Sequence, residues 1–220
     1  MTYPIAECFL SINGEGQRAG ELAVFLRFSG CNLACSYCDT AWANDPDCPT
    51  EPMETNKILS FVADSGARNV TLTGGEPLLQ PGIGELLRAL TGAGLDVEVE
   101  TNGSIPLEPF RQAAPLVRFT MDYKLPGSGM EAQMHLPNLE QLRGEDTLKL
   151  VCGSHEDLLR VKTLLETTTI GTGVRLYISP VFGQITPQEI VEYMKKEKLA
   201  GVRLQLQLHK FIWPPEQRGV

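Results

Sequence analysis

The pattern that most limits what this chain can become is an alternation of strand-like and helix-like stretches, repeated about six times. Apolar runs at Ala23 to Ser29, Asn69 to Thr73, Asp96 to Thr101, Val117 to Tyr123, Thr147 to Val151 and Arg175 to Ser179 read as strands. Helical patterns lie between them. Lys57 to Ser65 stops at Gly66, and Ile83 to Leu90 ends in glycines. Ser154, with Asp157 three residues on, opens a helix to about Leu165, and Thr186-Pro187-Gln188-Glu189 opens another to about Lys198. Ile5 to Ser11 precedes the series as a strand and Val202 to Leu208 closes it. Such βα units build a parallel sheet. Six of them fall short of an eight-fold barrel of roughly 250 residues. The prediction is therefore a single α/β domain with an incomplete (β/α)6 TIM-like barrel, its strand and loop at 1–22, its core at 23–208 and a tail at 209–220.

Composition bounds the setting. At 220 residues, 42% hydrophobic and 21% charged, the chain can bury a sizeable core. A formal net charge of -8 without clustered Lys and Arg argues against a nucleic-acid footprint. No stretch approaches a membrane span and residues 1–7 lack the form of a signal peptide, so the expected setting is cytoplasmic and reducing.

The chemistry concentrates where strands end. Cys31, Cys35 and Cys38, spaced C-x3-C-x2-C, follow the Ala23 to Ser29 strand. Three thiolates on one loop can hold three irons of a 4Fe-4S cluster and leave the fourth open to a small molecule. They could also hold zinc with Cys8 or Cys48 as fourth ligand, although zinc sites usually pair two C-x2-C knuckles and only one such pair exists here. A disulfide framework fits a reducing setting least. Gly74-Gly75-Glu76-Pro77 follows the next strand and Glu100-Thr101-Asn102-Gly103 the one after, so all three loops fall on the C-terminal rim. Arg27, inside an apolar run, reads either as partner of a structural carboxylate or as a cation at the mouth of that rim. His135 and His155 have no such context and read as surface residues.

The cysteine spacing, together with Gly74-Gly75-Glu76-Pro77, resembles the radical S-adenosylmethionine (SAM) superfamily. Within it, several further motifs resemble the 7-carboxy-7-deazaguanine synthase family of the queuosine pathway, and the likeness spans nearly the whole chain. They are Gly14-Glu15-Gly16, Phe25-Leu26-Arg27 before Gly30-Cys31, Cys38-Asp39-Thr40, and an ending of Gln207-Leu208-His209-Lys210, Trp213 and Arg218-Gly219-Val220. Asn13 departs from that family's glycine loop, which carries Gln there.

The resemblance implies a lyase in which Cys31, Cys35 and Cys38 hold the cluster and SAM chelates its open iron. A 5'-deoxyadenosyl radical would take a hydrogen from 6-carboxy-5,6,7,8-tetrahydropterin, whose ring contracts to 7-carboxy-7-deazaguanine with loss of ammonia, SAM being regenerated. Mg2+ would assist, with Thr40 as its hard oxygen ligand. Gly74, Gly75 and Glu76 suit the methionine ammonium of SAM, the glycines by close backbone approach and Glu76 by accepting N–H donors. Lys124 is the candidate partner of the SAM carboxylate. Glu100 faces either the ribose hydroxyls or the pterin. The substrate would meet Ile12, Gly14, Glu15, Arg27, Thr73, His209 and the terminal carboxylate of Val220, with Arg27 forking its carboxylate and Glu15 taking its aminopyrimidine edge. A flavodoxin-like electron donor and a homodimer also follow from the resemblance. Another radical SAM enzyme, such as a glycyl-radical activating enzyme, would lack the ending from His209 to Val220, and a zinc-stabilised module would have no chemistry at all.

Overall fold

Polar and apolar residues alternate along the central strands, and the computed structural model, which describes residues 1–220, separates them onto two faces of one sheet. The strands are β1 (Thr2–Ile12), β2 (Leu22–Phe28), β3 (Glu51–Glu54), β4 (Asn69–Gly74), β5 (Asp96–Thr101), β6 (Arg118–Tyr123), β7 (Thr147–Cys152), β8 (Arg175–Pro180) and β9 (Val202–Leu204). The helices are α1 (Thr55–Ser65), α2 (Ile83–Gly92), α3 (Glu108–Ala113), α4 (Pro137–Gln141), α5 (His155–Thr167), α6 (Pro187–Glu197) and α7 (His209–Ile212). The sheet runs β3-β1-β2-β4-β5-β6-β7-β8-β9. From β2 through β4 to β9 every neighbour is parallel, whereas β1 lies antiparallel to both β2 and β3. β3 and β9 end the sheet unpaired with each other, so the barrel is open, as the count of βα units predicts.

One face of each parallel strand supplies the core. Leu26, Phe28, Leu72, Val99, Phe119, Leu148, Leu150 and Ile178 are fully buried in one cluster with Ile58, Leu86, Leu87, Val161 and Ile190 of the helices. Alternate residues face the barrel interior, and these are polar or charged: Thr71 and Thr73, Glu98 and Glu100, Thr120 and Asp122, Lys149, Ser179. A strand has period two, so the same six residues can build a packed wall outside and a reactive lining inside. No helix is long and apolar enough to cross a membrane.

Several elements depart from the expectation. The edge strand β3 escapes the apolar pattern because it contains Pro52 and pairs only with β1, where a missing N–H is tolerated. Helices α3 and α4 each carry a proline in their first turn and are too short for a period of 3.6 to emerge. The last strand stops at Leu204 instead of Leu208, because Gln205 turns inward and brackets Gly16: its Oε1 accepts from Gly16 N at 2.8 Å and its Nε2 donates to Gly16 O at 3.0 Å. Thr186 and Glu189 close a reciprocal capping box on α6. Asp157 does not close one on α5. Its carboxylate instead accepts from Gly127 N and Gly153 N, both at 2.8 Å, and so ties the loop after β6 to the end of β7.

Candidate active site

The C-terminal ends of the parallel strands open on a cavity of about 530 Å3, a size suited to small molecules. One wall is the cysteine loop. Gly30, in the left-handed region at φ 86°, turns the chain out of β2, and its N–H donates to Ala43 O at 2.9 Å. Gly75 N donates to Phe28 O at 3.0 Å and Glu76 N to Gly30 O at 2.8 Å, so the loop after β4 is sewn to the start of the cysteine loop. A Cβ on Gly74 would meet the Phe28 backbone at 2.3 Å and one on Gly75 the Gly30 carbonyl oxygen at 1.9 Å. What these two glycines accommodate in the protein itself is the end of β2.

The donor set fits a cluster. Cys31, Cys35 and Cys38 are all free thiols lining the cavity, three thiolate donors on one loop as a 4Fe-4S cluster with one open iron takes. Cys31 Sγ accepts from Leu33 N at 3.4 Å and from Asn102 Nδ2 at 3.5 Å, contacts of the kind that tune cluster potentials. Thr40 Oγ1 lies 3.7 Å from Cys38 Sγ. Burial pushes the Cys35 thiol up, and the ammonium of Lys124 works against that. Two buried acceptors facing this region, Asn44 Oδ1 and Asp122 Oδ1, have no partner within the protein, which suits a ligand carrying N–H or O–H donors.

The structure brings together Ile12, Gly14, Glu15, Arg27, the three cysteines, Thr40, Thr73, Gly74, Gly75, Glu100, Lys124, His209 and Val220 around this one cavity. Glu76 is the exception. It is fully buried, and its carboxylate accepts from Leu78 N at 3.0 Å, Thr101 Oγ1 at 2.9 Å and Asn102 N at 2.7 Å. Burial raises its pKa to about 7, the three donors opposing the rise, so it locks the β4 and β5 loops together and does not face a ligand. Arg27 realises both readings given to it: its Nε donates to Glu7 at 2.9 Å, and the residue still lines the cavity. Glu100 accepts from Thr73 Oγ1 at 2.6 Å. Asn13 does not line the cavity; its Oδ1 accepts from Thr71 Oγ1 at 2.8 Å.

Sequence reasoning missed the two charges that organise the interior, Asp122 and Lys149. Lys149 Nζ sits 2.8 Å from Glu15 and 3.7 Å from Asp122, while Asp122 also lies 3.0 Å from Lys124 Nζ. Burial alone would lower the Lys149 pKa, yet Glu15, Asp122 and Glu100 raise it, and the ammonium in turn holds the Glu15 carboxyl below its ordinary range against burial. Glu15 receives Gln207 Nε2 at 3.2 Å and Ser179 Oγ at 3.3 Å as well. His209 packs so closely on Gly14 that a Cβ there would fall 2.3 Å from its Nδ1, and burial lowers its pKa, leaving it neutral at pH 7. The strands of Asp122 and Lys149 alternate polar with apolar residues, which marks an inward face that is not a plain core but does not say which charges meet there.

Glu98 sits lower in the same interior. Burial, aided by Glu100, pushes its carboxyl up to about 7 against a hydrogen bond from Thr120 and the more distant Arg118 and Arg18. An unfolded Glu titrates near 4.3. Between about pH 4 and 7 the folded protein therefore keeps a proton the unfolded chain has lost, so stability falls as pH rises through that window and levels off above it. Glu98→Gln is expected to remove this share, and the melting-temperature gap between variant and wild type should grow in the variant's favour from about pH 5 to 7.5. A pH-independent gap would contradict it.

The model of the radical SAM superfamily matches residues 26–124. A 7-carboxy-7-deazaguanine synthase of Clostridium acetobutylicum is 50% identical over 221 residues, covering 100% of both chains. That of Chlorobaculum tepidum is 37% identical over 219 residues, covering 98% of this chain and 96% of its own. Among solved structures, QueE from Escherichia coli superposes with a TM-score of 0.73 at 23% identity over 94% of each chain, a likeness of fold.

Proposed function

The chain belongs to the 7-carboxy-7-deazaguanine synthase family of radical SAM enzymes, and from that membership we propose that it converts 6-carboxy-5,6,7,8-tetrahydropterin to 7-carboxy-7-deazaguanine with loss of ammonia. The observation that carries this reading is a single cavity with three free thiols on one wall and the Glu15–Lys149 pair, His209 and Val220 on the others. The thiols of Cys31, Cys35 and Cys38 would hold a 4Fe-4S cluster. Bound there with SAM and given one electron by an external reductant, it would supply a radical able to abstract hydrogen from the pterin.

The chain's own residues bind and orient. Lys124, whose pKa its neighbours Asp122 and Cys35 raise against the effect of burial, offers an ammonium to the SAM carboxylate. Glu100, steadied by Thr73, accepts hydroxyl or amine donors, and the unpartnered oxygens of Asp122 and Asn44 accept others. Gly74 and Gly75 bring backbone to the same wall. Glu15 stays ionised and can take the donor-rich aminopyrimidine edge, with Ile12 and Gly14 beside it. Glu7 occupies the Nε of Arg27, which leaves the Nη edge for the substrate carboxylate. Neutral His209 and Val220 approach from the tail side.

Three further features belong to the proposal: Mg2+ on Thr40, a flavodoxin-like reductant and a cytoplasmic homodimer. Asn32, Ala34 and Ser36 of the cysteine loop are exposed, so an external donor can come close to the cluster. An anaerobic assay with the pterin, SAM, reductant and Mg2+ tests the reaction, and absence of 7-carboxy-7-deazaguanine would refute it. Thr40→Ala is expected to keep the brown cluster colour and SAM binding while losing most of the stimulation by Mg2+. An unchanged Mg2+ response removes Thr40 from that role.

A further inference from the structure

We propose that Arg218 and Trp42 form a clasp that seats the C-terminal tail over the cavity, making Arg218 a positioning residue for the pterin. After α7 the chain from Trp213 to Val220 has neither helix nor strand, and its backbone hydrogen bonds are local, from Trp213 N to His209 O and from Gln217 N to Pro214 O. Nothing in its backbone fixes it to the barrel. Its side-chain anchor is Arg218, whose guanidinium carbon lies 3.9 Å from the centroid of the Trp42 ring. Indole is the strongest aromatic partner for a cation, and a flat guanidinium stacks on it face to face.

Trp42 is a rigid mount. It lies in a turn of 3-10 helix, Ala41–Asn44, which begins directly after Thr40. Ala43 N bonds Thr40 O at 2.9 Å, Ala43 O accepts from Gly30 N at 2.9 Å, and the Ala43 side chain is fully buried. Earlier in the tail, Lys210 pairs with Asp39 at 3.0 Å and Phe211 meets Phe182 edge-on, so α7 is fastened independently. The clasp closes the far end. Val220 stands two residues beyond Arg218, within about 7 Å of chain reach, and lines the cavity.

The consequence is a population effect. A tail without the clasp loses the contact that offsets its ordering entropy, and Val220 is in place only part of the time. The apparent affinity for a ligand it touches then falls by that fraction. This inference rests on the pterin reading of the cavity given above.

Steady-state kinetics on the cluster-loaded full chain test it. Arg218→Gln is expected to raise KM for the pterin about three- to tenfold, with kcat changed less than about twofold and KM for SAM unaltered. Arg218→Lys should fall between it and wild type. Trp42→Leu should match Arg218→Gln, and the double variant should be no worse than either single one. Carboxypeptidase should also release Val220 faster from Arg218→Gln than from wild type, a readout that needs no turnover. Unchanged pterin KM with unchanged trimming overturns the clasp, as do additive effects or equal losses for SAM and pterin. If Trp42→Leu fails to hold its cluster, the two Arg218 variants decide alone. If wild type makes no product from the pterin, the functional reading fails, while the trimming rates still report on the clasp.

Discussion

Lys149→Met is expected to destabilise the protein by about 3–5 kcal/mol and to abolish pterin turnover. The Lys149 ammonium is buried between Glu15 at 2.8 Å and Asp122 at 3.7 Å, and removing it leaves both carboxylates in the barrel without their shared cation. In a domain of this size the loss corresponds to a fall of roughly 6–20 °C in melting temperature. The sign of the pH response should also reverse. In the wild type the Glu15 carboxyl is held below its ordinary range, so the pair stabilises the fold fully above about pH 4.3 and loses its effect as pH falls through the lowered value. Without Lys149 its strongest opponent to burial is gone, so the carboxyl rises even with Gln207 and Ser179 still bonded to it, and acid should stabilise the variant over a window above about pH 4.3. Glu15→Gln with Lys149→Met removes the orphaned charge and should recover much of the stability without recovering turnover. Thermal melts between about pH 2.5 and 8 check both statements; a Lys149→Met protein as stable as wild type would show that the pair contributes nothing.

The second large effect is expected at Glu76. In Glu76→Ala, Leu78 N, Asn102 N and the Thr101 hydroxyl lose their common acceptor in a fully buried place. Unsatisfied buried donors cost about 1–3 kcal/mol each, so a loss of at least about 3 kcal/mol is expected. The damage should reach the cysteine loop, because the side chain of Asn102 bonds Cys31 Sγ and, at 3.0 Å, Asn32 Oδ1. The iron content of anaerobically purified Glu76→Ala should fall and its cluster should bleach faster in air. Glu76→Gln keeps one acceptor but sets an amide N–H against a donor, and should lie between. Full iron content in Glu76→Ala would separate this carboxylate from the loop it is argued to support.

These two residues also mark what could and could not be read from the sequence. The strand-helix alternation was legible because it is periodic, and the strand from Asp96 to Thr101 comes out with the boundaries expected of it. The edge strand with Pro52 and the short helices α3 and α4 left no period to find. Gathering Cys31, Gly74 and Glu100 on one rim followed from strand direction alone. The role of Glu76 did not, because a turn acid gives no sign of whether it faces out to a ligand or back into three N–H and O–H donors. Lys149 was hidden for another reason: a lone cation in an apolar run acquires meaning only when Glu15, 134 residues earlier, is brought to it.

The bracket that Gln205 places around Gly16, followed by Leu208 N bonding Gly14 O at 3.1 Å, joins the two ends of the chain 189 residues apart. A contact of such long sequence separation is local only in the folded sheet, which the intervening strands bring about. The pocket is thus shared between both ends of the chain, and cutting the tail before Gln205 should leave a folded sheet that cannot hold the pterin.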